Sequence, residues 1–270
     1  METGRSAIGA AGRLRLAAGD AQLEIDARSG GRIAAFRVAG RELLVTEGMG
    51  PIAWGSFPMV PFAGRIRRGT FRFDGRSWTL PINWPPHAIH GFGFEQPWAV
   101  LDERTLEYRL ADPWPFAGSV IQRFDLSADA LRVTMELTAD EPMPATIGWH
   151  PWLRRRLGPD EPEVELRFDA EAMFRRDDEG IPTGELVAPP PRPWDDCFTG
   201  VWADPSLTWP GALTLEIGSS CPFWVVYDEQ AHAICVEPQS GPPDAPNLDP
   251  TIVEPGRPLV ATMEWRWRSA

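Results

Sequence analysis

The sequence predicts an all-β protein, a large antiparallel β-sandwich. Short segments that alternate apolar and polar residues recur along most of the 270-residue chain, a pattern typical of half-buried strands. No window of about 11 to 18 residues keeps the 3.6-residue period of a helix. The 29 prolines lie mainly between the alternating segments, where they stiffen loops. No repeat or change in composition marks a linker, so we expect a single domain over residues 1–270.

Two hairpins stand out among the predicted strands. Residues 32–38 and 41–45 flank Ala39-Gly40, which predicts a tight turn. The clearest pattern is GTFRF, then Asp74-Gly75, then RSWTL, because a DG pair suits the positive φ angles of a type I′ turn. The other predicted strands are 22–26, 105–110, 119–126, 130–137, 163–168, 212–217, 223–228, 233–238 and 259–268.

Composition excludes several classes of protein. Hydrophobic residues make up 43% and charged residues 24%, which predicts a folded globular chain rather than a disordered one. The formal net charge of -12 argues against partners such as nucleic acid or anionic membranes, since phosphate binding needs a basic surface. All 26 Lys+Arg residues are Arg, so Schiff-base catalysis and a P-loop lysine are excluded.

The cysteines and the N-terminus predict a cytoplasmic protein. Cys197, Cys221 and Cys235 are odd in number and widely spaced, which indicates reduced thiols and neither a disulfide framework nor a zinc site. Arg13 and Arg15 interrupt the N-terminal apolar stretch, unlike a signal peptide. No apolar segment approaches 18 residues, so we expect no membrane span.

Two residues suggest acid–base chemistry. His150 lies within IGWHPW, where flanking aromatic residues would desolvate the imidazole and bring its pKa near neutrality. Glu237 ends the apolar segment AICV, and a carboxylate is costly to bury there unless it is paired or used. Burial would raise its pKa toward the range of a general base. A satisfied core histidine and a strand-end surface glutamate remain the ordinary alternatives.

Further polar residues lie where predicted strands meet Gly- or Pro-rich turns. His90 lies in AIHGFGF, Arg65 precedes the DG hairpin, and Asp195 with Asp196 follows a Pro-rich loop. A turn histidine, an exposed arginine and solvent-facing acids are the alternative interpretations. Indole rings suit the C–H face of a pyranose, which favours a sugar ligand. The tryptophans beside these polar groups are Trp84, Trp149, Trp152 and Trp194.

Five segments occur in an order that resembles the aldose 1-epimerase (galactose mutarotase) family, and most of all a less-characterised bacterial branch of it. They are FAGRIRRGTFRFDGRSWTLPIN, IHG, IGWHPW, DDCF and CVEPQSGPPDAPN, between about residues 58 and 247. The resemblance implies a β-supersandwich that needs neither metal nor other cofactor and binds a monosaccharide, as a monomer or homodimer.

The resemblance also assigns roles to individual residues. It implies His150 and Glu237 as the catalytic pair and Arg65, His90 and Asp195 as substrate-binding residues. Asn83 occupies a position where the family often has an asparagine. This chain departs from the family at Gly64, commonly Asn, and at Asp196, often His. These departures bear on which sugar is bound.

The expected activity is mutarotation of a hexose by an isomerase. Glu237 would take the proton of the O1 hydroxyl while His150 protonates the ring oxygen, and the roles would exchange on ring closure. Three alternatives stay open. The chain could be a non-catalytic carbohydrate-binding protein, an epimerase of a phosphorylated hexose held by Arg65, Arg67 and Arg68, or a glycosidase using Glu237 with Asp195.

Overall fold

The structure is a computed structural model that describes the backbone of residues 5–8 and all of residues 12–269. The predicted domain range and the N-terminal stretch compared with a signal peptide include residues 1–4, 9–11 and 270, which lie outside the described residues. The described part is 54% strand and 4% helix. This composition confirms the predicted all-β class.

The strands follow one another closely along the chain. The first fourteen are β1 (Arg5–Ile8), β2 (Arg13–Ala18), β3 (Ala21–Asp26), β4 (Arg32–Val38), β5 (Arg41–Glu42), β6 (Ser56–Met59), β7 (Arg65–Ile66), β8 (Thr70–Phe73), β9 (Arg76–Thr79), β10 (Ala88–Ile89), β11 (Ala99–Asp102), β12 (Thr105–Leu110), β13 (Gly118–Leu126) and β14 (Ala130–Ala139). The next are β15 (Met143–Pro144), β16 (Gly148–Pro151), β17 (Leu153–Arg154), β18 (Glu165–Arg167), β19 (Ala170–Arg176), β20 (Pro182–Val187), β21 (Asp195–Val201), β22 (Ser206–Trp209), β23 (Leu213–Ser219), β24 (Phe223–Tyr227), β25 (Ala233–Gln239), β26 (Ile252–Val253) and β27 (Leu259–Ser269). Helical segments are short: α1 (Ala245–Leu248) and 3-10 turns at Arg67–Gly69 and Gly93–Glu95.

Two large antiparallel sheets organise these strands. The larger has the order β1-β2-β3-β4-β6-β16-β25-β24-β21-β19-β20, with β5 attached to β4 and β17 to β25. The smaller has the order β11-β12-β13-β14-β27-β23-β22-β18. Three two-stranded pairs, β7 with β10, β8 with β9, and β15 with β26, lie outside them. The predicted antiparallel β-sandwich is confirmed.

The two sheets pack face to face through aromatic side chains and one polar bridge. Phe36 of β4 lies 5.3 Å from Trp265 and 5.2 Å from Trp267 of β27, measured between ring centroids. Gln122 of β13 accepts a hydrogen bond from the indole of Trp149 in β16 at 2.8 Å. The same amide donates to the Gly31 carbonyl at 2.8 Å. Both ends of the Gln122 amide are therefore paired inside the core, as buried polar groups usually are, whereas the buried indole N–H of Trp265 has no acceptor among the described residues.

The outer face of the smaller sheet is covered by charges. Glu264 accepts from Arg132 and from Arg266, and Arg268 donates to Glu216 across β23 and β27. Such exposed pairs contribute little stability each, but they keep this face hydrated. The smaller sheet therefore buries only its inner face, as an antiparallel sheet can.

The central strands of the larger sheet are buried on both faces. Every residue of β25 is buried. Ile234 and Val236 point into the core between the sheets, whereas Cys235 packs with Phe57 in a second cluster on the opposite face. Alternation of side chains along the strand assigns the intervening residues to one face or the other. Glu237 is directed to the same side as Cys235, away from the smaller sheet.

The strand predictions are largely confirmed, with some corrections. Both predicted turns have positive φ angles, 50° and 75° at Ala39-Gly40 and 49° and 72° at Asp74-Gly75. The strand predicted at 41–45 ends at Glu42, and that at 163–168 shortens to 165–167. The edge hairpin formed by β19 and β20 and the neighbouring β21 were not predicted, because charges, Gly and Pro interrupt the alternation there. Among the described residues no helix is long and apolar enough to cross a bilayer.

Replacing Gln122 with alanine should destabilise the sandwich. The indole N–H of Trp149 and the Gly31 carbonyl would both lose their partner inside the core. We expect the free energy of unfolding, measured by urea denaturation, to fall by at least about 1–3 kcal/mol. The matched control is Gln22→Ala on the exposed side of β3, which should change it by no more than about 0.5 kcal/mol. Equal effects of the two variants would contradict this account of the core.

Candidate active site

A cavity of about 560 Å³ lies on the face of the larger sheet that the smaller sheet leaves uncovered. Its floor is formed by side chains of β16, β21, β24 and β25, and its walls by the loops between strands. A volume of this size is typical of sites that enclose a small ligand. Of the residues predicted from sequence, the cavity brings together His150, Glu237, Arg65, His90 and Asp195.

Strand register brings His150 and Glu237 into contact. Gly148 of β16 pairs with Gln239 of β25. Continuing the antiparallel register by two residues puts His150 opposite Glu237, and His150 Nε2 lies 3.3 Å from Glu237 Oε1. A side chain at Gly148 would bring its Cβ to 2.6 Å from the Pro238 carbonyl oxygen. The glycine of IGWHPW therefore permits the close approach of the two strands.

Aromatic rings hold the imidazole of His150 in place. It stacks between Phe57, at 4.7 Å, and Trp152, at 5.4 Å between ring centroids. His90 contacts the same ring edge-on at 5.1 Å. Trp152 is fixed in turn by donating its indole N–H to the Ile52 carbonyl at 2.8 Å. These contacts leave the imidazole little freedom to rotate, so Nε2 stays directed at Glu237.

Burial shifts the pKa values of the pair in opposite directions. His150 is 5% exposed and Glu237 is 1% exposed. Burial raises the pKa of Glu237 well above its ordinary value, and the nearby charge of Asp195 raises it further. Burial lowers the pKa of His150. Because a buried site favours zero net charge, the pair is most stable with one proton between its two side chains.

Gln239 supplies a further contact to the carboxylate. Its amide nitrogen lies 3.5 Å from Glu237 Oε2, the oxygen that does not face His150. Gln239 follows Glu237 by two residues on β25 and therefore shares its face of the sheet. The two oxygens of Glu237 thus have different environments, one beside an imidazole and one beside an amide.

Arginines and aspartates form one wall of the cavity. Arg65 Nη2 and Arg176 Nη1 both donate to Asp195 Oδ2 at 3.1 Å. Arg176 Nε also lies 2.7 Å from Asp196 Oδ1. Two guanidinium groups thus face two carboxylates, and this wall is balanced in charge.

His90 presents one ring nitrogen to the protein backbone. Its Nδ1 accepts from the Gly64 amide at 3.2 Å, which makes Nε2 the protonated nitrogen of the neutral ring. Burial lowers the pKa of His90 well below its ordinary value, and His150 and Arg65 lower it further. A neutral donor is therefore available on this side of the cavity.

Asn83 does not line the cavity. Both ends of its amide bind the main chain of Ile89, the oxygen at 2.8 Å and the nitrogen at 3.0 Å. Its side chain therefore braces the backbone just before His90. The geometry supports a positioning role for Asn83 rather than the expected direct contact with substrate.

The departure at Gly64 has a local explanation. Its φ angle is 71°, and a Cβ at this position would lie 2.6 Å from Cβ of Pro243. Pro243 lines the cavity where a side chain from position 64 would begin. A glycine at 64 and a proline at 243 are therefore compatible with each other, whereas an asparagine would require the loop after β25 to move.

The four tryptophans separate into different environments. Trp152 and Trp84 line the cavity, and Trp84 is 47% exposed. Trp149 points into the core between the sheets, and Trp194 belongs to a separate buried cluster. Two of the four tryptophans therefore line the site, and the other two belong to the buried core.

Gln239 and Arg176 contact predicted site residues in the cavity but were not themselves predicted from the sequence. Gln239 could have been found, because its spacing from Glu237 on a predicted strand implies a shared face. Arg176 carries no such signal, since the strand that bears it was not predicted. The PPDAPN segment has a structural role as well: Asp244 Oδ1 accepts from the Arg67 amide at 3.0 Å and from Asn247 at 2.8 Å. The bond from Arg67 joins the loop after β25 to the loop that bears Arg65.

One group of described residues is close enough to hold a metal ion. Ligand atoms of His150, Cys235 and Glu237 lie within 4.8 Å of one another. Burial raises the pKa of the Cys235 thiol well above its ordinary value, and the charge of Glu237 raises it further. This disfavours the thiolate form that binds transition metals. We assign no metal to this group, and chemistry without a cofactor stays a prediction.

Comparison with known proteins identifies the family. The family model described as aldose 1-epimerase matches residues 14–266. The Escherichia coli K12 protein named uncharacterized protein YphB is 27% identical over 220 residues, which cover 70% of this chain and 73% of YphB. Human galactose mutarotase is 30% identical over 136 residues, 46% of this chain and 40% of the human protein.

Solved structures agree in fold. A galactose mutarotase-like protein from Clostridium acetobutylicum aligns with a TM-score of 0.83 and 17% identity, covering 96% of this chain and 95% of that protein. Galactose 1-epimerase from Lactobacillus acidophilus aligns with a TM-score of 0.79 and 15% identity, covering 96% and 94%. The chain belongs to the aldose 1-epimerase family and is an enzyme of the isomerase class.

Proposed function

We propose that the enzyme is a mutarotase that interconverts the α and β anomers of an unphosphorylated hexose. The observation that carries the proposal is the contact of 3.3 Å between His150 Nε2 and Glu237 Oε1 on the floor of the cavity. An acid and a base at neighbouring positions are what reversible ring opening requires. We also propose that the chain acts as one domain, since residues 57–239 contribute to the same site.

Ring opening needs two proton transfers and no covalent intermediate. Glu237, as the carboxylate, takes the proton of the anomeric O1 hydroxyl while His150, as the imidazolium, protonates the ring oxygen. The C1–O5 bond breaks and C1 becomes an aldehyde. Rotation about C1–C2 exposes the other face of the carbonyl. The two proton transfers then run in reverse, the ring closes as the other anomer, and the pair recovers its single proton.

Burial suits both groups to these roles. A carboxylate whose pKa is raised is a stronger base than an exposed glutamate, and an imidazole whose pKa is lowered is a stronger acid once protonated. When the single proton of the pair lies on His150, Glu237 is the carboxylate and His150 is the imidazolium, so one tautomer provides both the base and the acid. Stacking of the imidazole between Phe57 and Trp152 keeps its nitrogen aligned with the reacting oxygen.

Substrate hydroxyls would bind the charged wall and the neutral histidine. Asp195 accepts from both arginines through Oδ2, so Oδ1 is available to a sugar hydroxyl. Arg65 and His90 provide further donors from the neighbouring ends of the paired strands β7 and β10. These contacts would also retain the open-chain aldehyde until the ring closes, which is positioning work.

The charges of the cavity favour a neutral sugar over a phosphorylated one. Among the described residues that line it, two arginines face four acids: Arg65, Arg176, Asp195, Asp196, Glu229 and Glu237. Arg67 and Arg68, which the phosphohexose alternative also needs, bind Asp177 and Glu179 instead. Glu237 contacts an imidazole, and the carboxylate of Asp195 is bound by two arginines, an arrangement that favours mutarotation over glycoside hydrolysis.

Removing either member of the pair should abolish most activity without unfolding the protein. We expect Glu237→Gln and His150→Asn each to lower kcat by roughly 10²–10⁴-fold, measured by polarimetry of α-D-galactose and α-D-glucose relaxing to equilibrium. Thermal unfolding should show that both variants fold. The control is Glu229→Gln, an exposed acid at the cavity rim, whose activity should resemble wild type. Wild-type relaxation no faster than buffer, with sugar bound in calorimetry, would instead favour the carbohydrate-binding alternative.

The pH dependence of kcat/KM should be broad. The active pair holds one proton. It gains a second only at a pH below 6.5, the approximate ordinary pKa of histidine, because burial lowers the pKa of His150. The pair loses its single proton only at a pH above the ordinary pKa of glutamate, because burial raises the pKa of Glu237. We expect no loss of kcat/KM as the pH falls through 6.5, after subtraction of the buffer rate at each pH. An acid limb centred near 6.5 would contradict the proposed protonation state.

Phosphorylated sugars should be poor substrates. A phosphate in this cavity would meet acids that outnumber the arginines, so we expect kcat/KM for glucose 6-phosphate to be at least about tenfold below that for glucose, equivalent to about 1.4 kcal/mol. Both sugars would be followed by polarimetry at the same ionic strength. A higher kcat/KM for the phosphorylated sugar would favour the phosphohexose alternative.

A further inference from the structure

Arg176 has no part in the proton transfers proposed above, yet it lines the cavity. It is the last residue of β19, the strand next to the edge strand β20 of the larger sheet. The turn that follows it, residues 177–181, leads into β20. The hairpin therefore delivers this guanidinium to the site from a direction that no other cavity arginine shares.

The turn after Arg176 is anchored to the loop that bears Arg65. Arg67 binds both Asp177 and Glu179, and Arg68 binds Glu179. His87 Nε2 lies 3.1 Å from the Glu179 carbonyl oxygen. Several charged contacts spanning two loops hold the end of β19 against the cavity, so the position of Arg176 is set by the fold rather than by its own ion pairs alone.

Two aspartates orient the guanidinium. Arg176 Nη1 donates to Asp195 Oδ2 at 3.1 Å, and Nε lies 2.7 Å from Asp196 Oδ1. Asp196 is 8% exposed, and a buried carboxylate needs such a partner. Among the residues that the structure describes, Nη2 of Arg176 has no acceptor. Arginine has five N–H donors in a rigid fork, so binding to two acids leaves donors available to a ligand.

The free donor of Arg176 lies in the same cluster as the free acceptor of Asp195. Asp195 binds both arginines through Oδ2 alone, which leaves Oδ1 for a ligand. A donor and an acceptor on directly bonded partners can bind two adjacent hydroxyls of one sugar, since each hydroxyl both donates and accepts. An anion would satisfy the arginine but would repel the two aspartates.

We propose that Arg176 is a substrate-binding residue that donates a hydrogen bond to a ring hydroxyl of the sugar, and that Asp196 is the positioning residue that orients it. The inference rests on the proposed mutarotase function and deepens it. It assigns the substrate class as neutral hexoses with two adjacent free hydroxyls at this wall. Arg176 and Asp196 thus determine which hexoses are accepted.

The test compares Arg176→Gln with Arg175→Gln. Arg175 is the preceding residue of β19 and is also paired with an acid, Glu185, through Nε at 2.7 Å, but it lies outside the cavity lining. Loss of a hydrogen bond from a charged donor should raise KM about 10- to 100-fold in Arg176→Gln, with a smaller change in kcat. Arg175→Gln should leave both constants close to wild type.

A panel of monodeoxy sugars separates a contact from a general disturbance of the site. For one deoxy position the wild type should lose affinity, whereas Arg176→Gln should bind the deoxy and parent sugars equally. The double variant Arg176→Gln/Asp196→Asn removes the buried pair as a unit, which avoids an unpaired carboxylate, and it should show the same loss of discrimination. Thermal unfolding of every variant establishes that it folds.

Calorimetric sugar binding distinguishes failure of this inference from failure of the proposed function. If no sugar is epimerised but deoxy discrimination still depends on Arg176, the mutarotase proposal fails and the contact stands. If the wild type epimerises hexoses while Arg176→Gln keeps wild-type KM and discrimination, the contact is refuted and the mutarotase proposal stands. If Arg176→Gln weakened the binding of the parent sugar and of every deoxy sugar by the same factor, the proposed contact would also be overturned.

Discussion

The contact between an imidazole and a carboxylate in a buried position is the constraint on which the rest of the structure depends. His150 and Glu237 face each other because β16 and β25 pair in one register. A shift of either strand by one residue would turn its own member of the pair into the core between the sheets. Burial makes any net charge on the pair costly, so the pair and its surroundings must together favour a single proton. The stacked rings and the amide of Gln239 serve this condition.

The two-sheet architecture provides this buried position on one side only. The smaller sheet covers one face of the larger sheet, and loops must cover the other. Buried Arg32 ties these loops together by donating to the carbonyls of Pro51, Trp54 and Phe94 at 2.7 to 3.0 Å. Its guanidinium also stacks over the Trp54 ring at 4.2 Å. Burial lowers the pKa of Arg32 to about 10, so the group remains a cation that carbonyl dipoles and an aromatic face stabilise.

The cavity combines two electrostatic environments. Its floor, at His150 and Glu237, is enclosed by aromatic rings and favours neutral forms, which strengthens an acid and a base. Its wall, at Arg65, Asp195, Arg176 and Asp196, consists of paired charges, of which all but Asp196 remain partly exposed. Paired charges offer strong donors and acceptors to hydroxyls without attracting an ion. The division corresponds to the proposed separation between proton transfer and recognition of the sugar.

The sequence by itself determined the strand content, the DG turn and the candidate residues, because alternation, turn chemistry and residue type are local properties. It also led to the family through ordered motifs. The tertiary structure alone decided which candidates meet: it joined His150 to Glu237, turned Trp149 into the core, bound the Asn83 amide to the backbone and brought Arg176 to the cavity. The reason is physical. Contacts between distant segments depend on strand register and on which face of a sheet is covered, and a short stretch of sequence specifies neither.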